Sequence, residues 1–226
     1  MKKKQVQRLV AFSLATMMTL QGLSVNASGQ VQVRTDSNTQ MSSDKEVVYV
    51  NTYDTSKRVH DFDANWKFYL GDADGAEAVN FDDSAWRTVS VPHDYSIEQE
   101  YTQSGEAESG YLPGGTGWYR KHFTLTEDMK DKEIRLDFGG VYMNATVWVN
   151  GTQLGTHPYG YTPFSFDITD YVKAGEENVI TVKVDHQTPS SRWYSGSGIY
   201  RSVDLTVMDK VHVDLNGTKI ATPNLA

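Results

Sequence analysis

The sequence predicts an all-β domain, a jelly-roll β-sandwich preceded by a signal peptide and a disordered leader. From Val47 onward, short segments alternate apolar and polar residues with a period of two, which is typical of half-buried strands. Turn residues separate these segments, and no stretch keeps a helical period. The long irregular connection from Pro92 to Gly117 favours a jelly roll with a functional loop over a tighter immunoglobulin-like sandwich.

Composition limits the possible functions. The chain has 226 residues, too few for a (β/α)8 barrel of about 250 residues together with a second domain. Its net charge of −8 argues against nucleic-acid binding, which needs a basic face. There are no cysteines, which excludes disulfides and thiolate metal sites. No two histidines have the spacing of metal ligands, so we expect neither a metal nor another cofactor.

The N-terminal segment has the pattern of a secretory signal peptide. An apolar, uncharged stretch from Leu9 to Val25 follows a basic head made of Lys2, Lys3, Lys4 and Arg8. Val25 and Ala27 place small residues before a cleavage site after Ala27. The alternative, a membrane-spanning helix, would need about 20 apolar residues, and polar residues interrupt this stretch. We therefore predict a signal peptide over residues 1–27 and a polar, disordered leader over residues 28–46.

The strands are predicted from residues that share one face. These sets are Trp66, Phe68 and Leu70; Ile134, Leu136 and Phe138; Ala145, Val147 and Val149; Phe164, Phe166 and Ile168; Ile180, Val182 and Val184; and Val203, Leu205 and Val207. Asn150-Gly151 lies between two of these runs, which predicts a hairpin with a type I′ turn.

The C-terminal residues predict a second domain. Residues 211–215 alternate as one more strand, followed by a turn at Asn216-Gly217. A lone strand is barely stable in water. We therefore assign residues 47–209 to the sandwich and residues 210–226 to the truncated start of an immunoglobulin-like domain, and we expect the chain to be a fragment.

Four stretches carry a family resemblance. They are FDDSAWRTVSVPHDY (81–95), GWYRKHFTL (117–125), VWVNGTQLGTHPYGYTPFSFDITDYVKAGEENVITVKVD (147–185) and RWYSGSGIYRSVDL (192–205). In this order they resemble the N-terminal sugar-binding domain of glycoside hydrolase family 2, and most of all that of secreted β-galactosidases of Gram-positive bacteria, streptococcal ones included. The resemblance covers residues 58–208. It implies a jelly roll like that of galactose-binding domains, then an immunoglobulin-like domain, then a catalytic barrel.

The resemblance also implies an activity for the parent protein. It would be a glycoside hydrolase that acts on terminal β-galactosides, secreted or at the cell surface of a Gram-positive bacterium. Retaining glycosidases need two carboxyl groups about 5–5.5 Å apart, which in this family are glutamates of the barrel. None of the 29 acidic residues here takes either role, so this chain alone is expected to be inactive. The expected partners are a β-galactoside and the parent's own downstream immunoglobulin-like and barrel domains, with no nucleic acid and no membrane span.

In the family this domain lends residues to the sugar pocket, and Arg192 and Trp193 are the first candidates. Related enzymes often carry an aspartate at the place of Arg192, so the resemblance here implies a guanidinium donor fork instead of a carboxylate. The Trp193 ring would face the apolar side of galactose or, alternatively, cap the edge of the sandwich together with Tyr194.

His93 and Asp94 are the second candidates, because they follow the strand-ending Pro92 at a loop mouth. Asp94 would accept hydrogen bonds from sugar hydroxyls or, alternatively, from its own backbone in a turn. The loop from Tyr111 to Gly115 would line the same cleft, its glycines allowing either close approach or flexibility. The remaining tryptophans are predicted to pack in the core or at a domain interface: Trp66, Trp86, Trp118 and Trp148.

Two other functions fit the same sequence. The chain could be a free-standing carbohydrate-binding sandwich, a lectin or adhesin module, which would bind galactose by itself. It could also be a scaffold that supports the barrel without touching sugar.

Overall fold

The computed structural model describes residues 57–223, together with the backbone of two short strands, β1 (Leu23–Val25) and β2 (Val31–Val33). These two strands pair antiparallel, with Ser24 opposite Gln32. The rest of the predicted signal peptide and leader lies outside the described residues, so both assignments stay predictions.

Residues 57–223 form a sandwich of two antiparallel sheets, as the alternating pattern predicts. The four-stranded sheet has the order β10-β7-β12-β3, and the six-stranded sheet has the order β5-β4-β6-β11-β8-β9. The strands are β3 Val59–Asp61, β4 Trp66–Leu70, β5 Arg87–Val89, β6 Gly115–Thr124, β7 Glu133–Phe138, β8 Ala145–Val149, β9 Thr152–His157, β10 Phe164–Asp167, β11 Glu177–His186 and β12 Val203–Met208. The helices described are two short 3-10 helices, Glu127–Met129 and Thr169–Tyr171.

The core lies between the two sheets and contains most of the residues that the pattern assigns to it. Leu136 on β7, Val182 on β11 and Leu205 on β12 are fully buried in one cluster. Phe164 and Phe166 on the edge strand β10 are only partly buried against this cluster. Leu70, which the alternation of β4 places on the same face as Trp66 and Phe68, is 39% exposed because it ends the strand, just before Gly71 with φ of +125°.

The Asn150-Gly151 turn is confirmed. It joins β8 to β9 with positive φ angles at both residues, 48° and 78°, as a type I′ turn requires.

A segment that we call the strap, residues 71–86, crosses the outer face of the six-stranded sheet. Arg120 on β6 is fully buried beneath it, and Arg120 Nε donates to Asp83 Oδ2 over 2.7 Å. Arg120 Nη1 donates to the carbonyl of Ala78 over 3.0 Å. Apolar residues pack beside this arginine, among them Ala76, Trp86 and Trp118. The strap thus turns an outward-facing arginine into a buried one.

The predicted strand over residues 211–215 does not form. Val211 is 94% exposed, and the carbonyl of Val213 accepts a hydrogen bond from Arg58 Nη2 over 2.9 Å instead of joining a sheet. The turn that follows is confirmed, because Gly217 N donates to Asp214 O over 3.0 Å. The assignment of residues 210–226 to a further domain is untested by this geometry. Over the described ranges, the structure has no helix of the length and apolarity that crossing a bilayer requires.

Candidate functional site

Loops meet at one end of the sandwich and form the candidate site. The first loop covers residues 90–114, and the second covers residues 187–202. The two are joined by backbone hydrogen bonds from His93 N to Ile199 O, 2.7 Å, and from Tyr95 N to Ser197 O, 2.9 Å. The structure therefore brings together the two sequence segments that were predicted separately as sugar-binding.

Asp94 links the two loops with both carboxylate oxygens. Its Oδ1 accepts from the backbone N of Ser96 over 2.9 Å and from the backbone N of Ser197 over 2.8 Å. Its Oδ2 accepts from the hydroxyl of Tyr194. Asp94 is thus a turn aspartate, as the second interpretation has it, and it also positions an exposed aromatic side chain. A Cβ atom at Gly196, where φ is +73°, would lie 2.8 Å from Oδ2, so the glycine permits this contact.

Tyr194 is the side chain that Asp94 holds at the surface. It is 44% exposed, so its ring is open to a ligand while its hydroxyl is fixed. Burial, and after it the hydrogen bond to Asp94, raises the pKa of Tyr194 well above its ordinary value. Tyr194 therefore stays neutral, and its oxygen keeps a lone pair for a donor from outside.

His93 lies beneath the site. Its side chain is only 9% exposed, and the ring packs edge-on against Phe68 with centroids 4.6 Å apart. Nδ1 lies 2.7 Å from the hydroxyl of Tyr119, and Nε2 lies 3.2 Å from Glu98 Oε1. Burial lowers the pKa of His93, although Glu98 opposes this shift. Because both ring nitrogens have partners, His93 supports the loop from below.

Arg192 and Trp193 are both exposed on the second loop. Trp193 is 79% exposed, so it does not cap the edge of the sandwich and its ring face is free to stack on a ligand. The backbone N of Trp193 donates to Ser191 Oγ over 3.3 Å, which orients this part of the loop. The guanidinium of Arg192 and the ring of Trp193 thus belong to neighbouring, exposed residues at the edge of the site.

A buried polar network under the loops was not predicted from the sequence. His186, at the end of β11, lies 2.5 Å from Ser197 Oγ through Nδ1 and 2.8 Å from Ser190 Oγ through Nε2. The hydroxyl of Tyr142 donates to the same Ser190 over 3.1 Å. Burial lowers the pKa of His186, which favours the neutral ring. In the sequence, His186 is only the last residue of an alternating strand, so nothing distinguishes it.

The loop from Tyr111 to Gly115 lies beside this network. Ser96 Oγ donates to the carbonyl of Pro113 over 2.8 Å. A Cβ atom at Gly114 would lie 2.4 Å from the carbonyl oxygen of His186. Of the two explanations offered for these glycines, close approach of two backbones is the one that the structure supports at Gly114.

The remaining tryptophans pack as predicted. Trp66 is fully buried in the core, and Trp86 and Trp118 are buried under the strap. Trp148 is partly buried and stacks on Trp118 with ring centroids 5.8 Å apart. Across residues 57–223, no group of three acidic or histidine side chains is arranged to hold a metal ion.

The fold and the site together define a class: a β-sandwich whose loops at one end present aromatic, carboxylate and guanidinium groups. Small-ligand sites are usually lined by aromatic and apolar side chains, with a few polar or charged groups among them. The model of the glycosyl hydrolases family 2 sugar-binding domain matches residues 59–209. The chain therefore belongs to glycosyl hydrolase family 2.

Relatives agree with this assignment. The chain is 46% identical over 168 residues to the β-galactosidase BoGH2A of Bacteroides ovatus, covering 73% of this chain and 20% of that protein. It is 42% identical over 167 residues to a putative β-glucuronidase of Formosa agariphila, covering 73% of this chain and 16% of that protein. A solved family 2 structure from Bacteroides cellulosilyticus superposes with a TM-score of 0.67 at 45% identity, over 68% of this chain and 21% of that one. The chain thus spans about a fifth of the length of such relatives.

Proposed function

We propose that this chain is the sugar-binding domain of a β-galactosidase and that it shapes the pocket for the terminal galactose. The observation that carries the proposal is the convergence of Asp94, Tyr194, Arg192 and Trp193 at one end of the sandwich, where Asp94 ties the two loops together. In the parent enzyme this end would face the catalytic domain, which supplies both catalytic carboxyl groups.

Each of these side chains makes a different kind of contact with the sugar. The Arg192 guanidinium donates to neighbouring hydroxyls in a fixed fork. The Trp193 ring packs on the apolar face of the pyranose, and burying such a ring removes a large apolar area from water. The Tyr194 oxygen accepts from a hydroxyl while its own proton is bound to Asp94. The two loops thus recognise the sugar without taking part in bond cleavage.

A β-glucuronidase is the second candidate. The exposed guanidinium of Arg192 also fits a carboxylate, which an arginine binds in a bidentate manner. Relatives at 42% and 34% identity bear the names putative β-glucuronidase and β-glucuronidase. Assays of the full-length enzyme with nitrophenyl β-galactoside and nitrophenyl β-glucuronide, side by side, distinguish the two.

The test of the proposal is Arg192→Ala in the full-length glycosidase. Loss of a charge-assisted hydrogen bond of about 1.5–3 kcal/mol should lower kcat/KM by about tenfold to 150-fold. The melting temperature should change little, because an exposed arginine adds little to a sandwich core.

The matched control is Lys210→Ala, which removes an exposed cation after the end of β12. It should leave kcat/KM unchanged. A folded Arg192→Ala enzyme with normal kcat/KM would remove Arg192 from the site, and lower stability with normal kinetics would favour the scaffold function.

A further inference from the structure

A second aromatic surface lies beside the candidate site, on the first loop. Tyr101 is 74% exposed and Tyr111 is 48% exposed. Together with Thr102, Gln103 and Gly110 they line an open, largely apolar depression. The proposed site for the terminal sugar uses neither tyrosine, so this surface needs an explanation of its own.

The loop that carries the two tyrosines is closed and internally bonded. At its neck, Thr102 N donates to the carbonyl of Tyr111 over 3.0 Å. Inside the loop, Tyr111 N donates to Glu106 O over 2.9 Å, and Ser109 Oγ donates to the same carbonyl over 2.9 Å. A Cβ atom at Gly105 would lie 2.8 Å from Tyr111 O, so the loop is tightly folded on its neck. A surface fixed before binding costs little ordering when a ligand arrives.

The negative charge of this loop favours neutral ligands over anionic ones. Between Arg87 and Arg120 the sequence has no lysine or arginine, and its carboxylates are Asp94, Glu98, Glu100, Glu106 and Glu108. A negative field of this kind repels anionic ligands, uronic acid chains included. The depression itself is lined by neutral residues. Ring faces edged by hydroxyl groups fit a neutral pyranose, which has an apolar face and polar edges.

The surface continues from the terminal-sugar site. The loop of the two tyrosines is bonded to the base of the terminal-sugar site. Gln99 Nε2 donates to the carbonyls of Pro113 and Gly114, each over 3.2 Å, and Ser96 Oγ donates to the same carbonyl of Pro113 over 2.8 Å. Asp94, two residues before Ser96, accepts from the hydroxyl of Tyr194. Tyr101 and Tyr111 therefore lie on the same loop as Asp94, the residue that holds Tyr194.

We propose that Tyr101 and Tyr111 bind the second and later units of a neutral oligosaccharide whose terminal unit occupies the site around Asp94 and Arg192. This inference rests on the proposed function for the terminal unit. It adds a substrate class: neutral oligosaccharides rather than monosaccharide glycosides or uronic acid chains.

The experiment is calorimetric titration of the full-length glycosidase, with its two catalytic glutamates replaced by glutamine, with methyl β-galactoside and with β-1,4-galactotetraose. The tetraose should bind about tenfold more tightly, as expected when an aromatic contact residue gains a partner. Tyr101→Ala should remove this preference and leave the affinity for methyl β-galactoside unchanged. Tyr111→Asn should do the same, and asparagine tolerates the φ of +63° at this position.

Tyr171→Ala is the control, since Tyr171 is a 40% exposed tyrosine on the short helix Thr169–Tyr171, away from both loops. It should retain the full preference for the tetraose. Tetragalacturonate should bind no more tightly than the monosaccharide, because the acidic loop repels it.

Three results would overturn the inference: a full-length inactive enzyme without preference for the tetraose, tyrosine variants of it that keep the preference, or tight binding of tetragalacturonate. If the tyrosines instead contact another part of the glycosidase, their variants lower the melting temperature of the full-length enzyme and keep the preference. If Arg192→Ala lowers kcat/KM as predicted, any of these results rejects this inference and leaves the proposed function standing. If Arg192→Ala leaves kcat/KM unchanged, the proposed function itself is rejected.

Discussion

At the scale of single residues, Lys121 is the most unusual side chain of the core. It is 2% exposed and points inward from β6, between the buried Tyr119 and Phe123. Its ammonium group donates to the carbonyl of Ala64 and lies 4.3 Å from the centre of the Phe62 ring. Burial lowers the pKa of Lys121 to about 8, although nearby aspartates oppose this shift. The folded protein thus holds a cation that would be more stable in water.

Lys121→Met should therefore change how stability depends on pH. The pKa of Lys121 is lower in the folded chain than its ordinary value of 10.5, so the unfolded chain binds more protons between pH 8 and pH 10.5. Wild-type stability should rise with pH in this window, by about 2–3 kcal/mol between pH 7 and pH 10 relative to Lys121→Met. Urea unfolding at several pH values measures the difference. Lys130→Met, at an exposed lysine, should follow the wild-type profile, and parallel profiles for Lys121→Met would contradict the prediction.

At this scale, the sequence predicted the loop residues of the site and missed the buried polar residues on the strands. Asp94 and Trp193 could be predicted as site residues because their loop positions and residue types indicate binding. His186 and Lys121 could not be predicted, because alternation indicates only whether a side chain points into the core or outward. Whether a polar side chain on the inner face finds a partner depends on residues far away, such as Ser197 for His186 and Ala64 for Lys121.

At the scale of elements, the strands follow the sequence pattern while two connections do not. Period-two alternation predicted β7, β8, β11 and β12, since these central strands each bury one face. The same alternation over residues 211–215 gave no strand, because this segment pairs with neither sheet and is instead held through Arg58 and Arg135. The strap was not predicted, since its attachment depends on Arg120, which sits on a different element.

Asp83→Ala should release the strap and destabilise the domain. Arg120 is fully buried, and Asp83 is its carboxylate partner at 2.7 Å; His122 Nε2 also lies 2.8 Å from the same oxygen. Removing one partner of a buried pair leaves an uncompensated charge and costs about 3–5 kcal/mol. The free energy of unfolding in urea measures this loss. Asp74→Ala removes an exposed carboxylate of the same strap and should cost less than about 0.5 kcal/mol; equal effects for the two variants would show that Arg120 does not depend on Asp83.

At the scale of the whole molecule, the strands of the sandwich run between the site loops at one end and the C-terminal segment at the other. β12 starts at Val203, directly after the site loop, and ends at Met208, directly before the C-terminal segment. Arg58 and Arg135 hold that segment through Val213 and Asp214. The strands between the ends bury the core, so the loops of the site can vary in sequence without disturbing it. This division explains why the fold was predictable from patterns while the site needed residue-by-residue argument.

The N-terminal sequence predicts how the chain changes as it leaves the cell. We propose that the protein is exported and cleaved after Ala27, because a basic head, an uncharged and mostly apolar stretch, and small residues at the cleavage site occur in that order. Cleavage would remove Lys2, Lys3, Lys4 and Arg8 and no acidic residue, so the net charge of −8 would become −12. N-terminal sequencing of the secreted protein should begin at Ser28. Ala27→Leu places a large residue at the cleavage site and should retain the N-terminal segment in the product, whereas a wild-type secreted protein that still contains residues 9–25 would show that this stretch acts as an anchor.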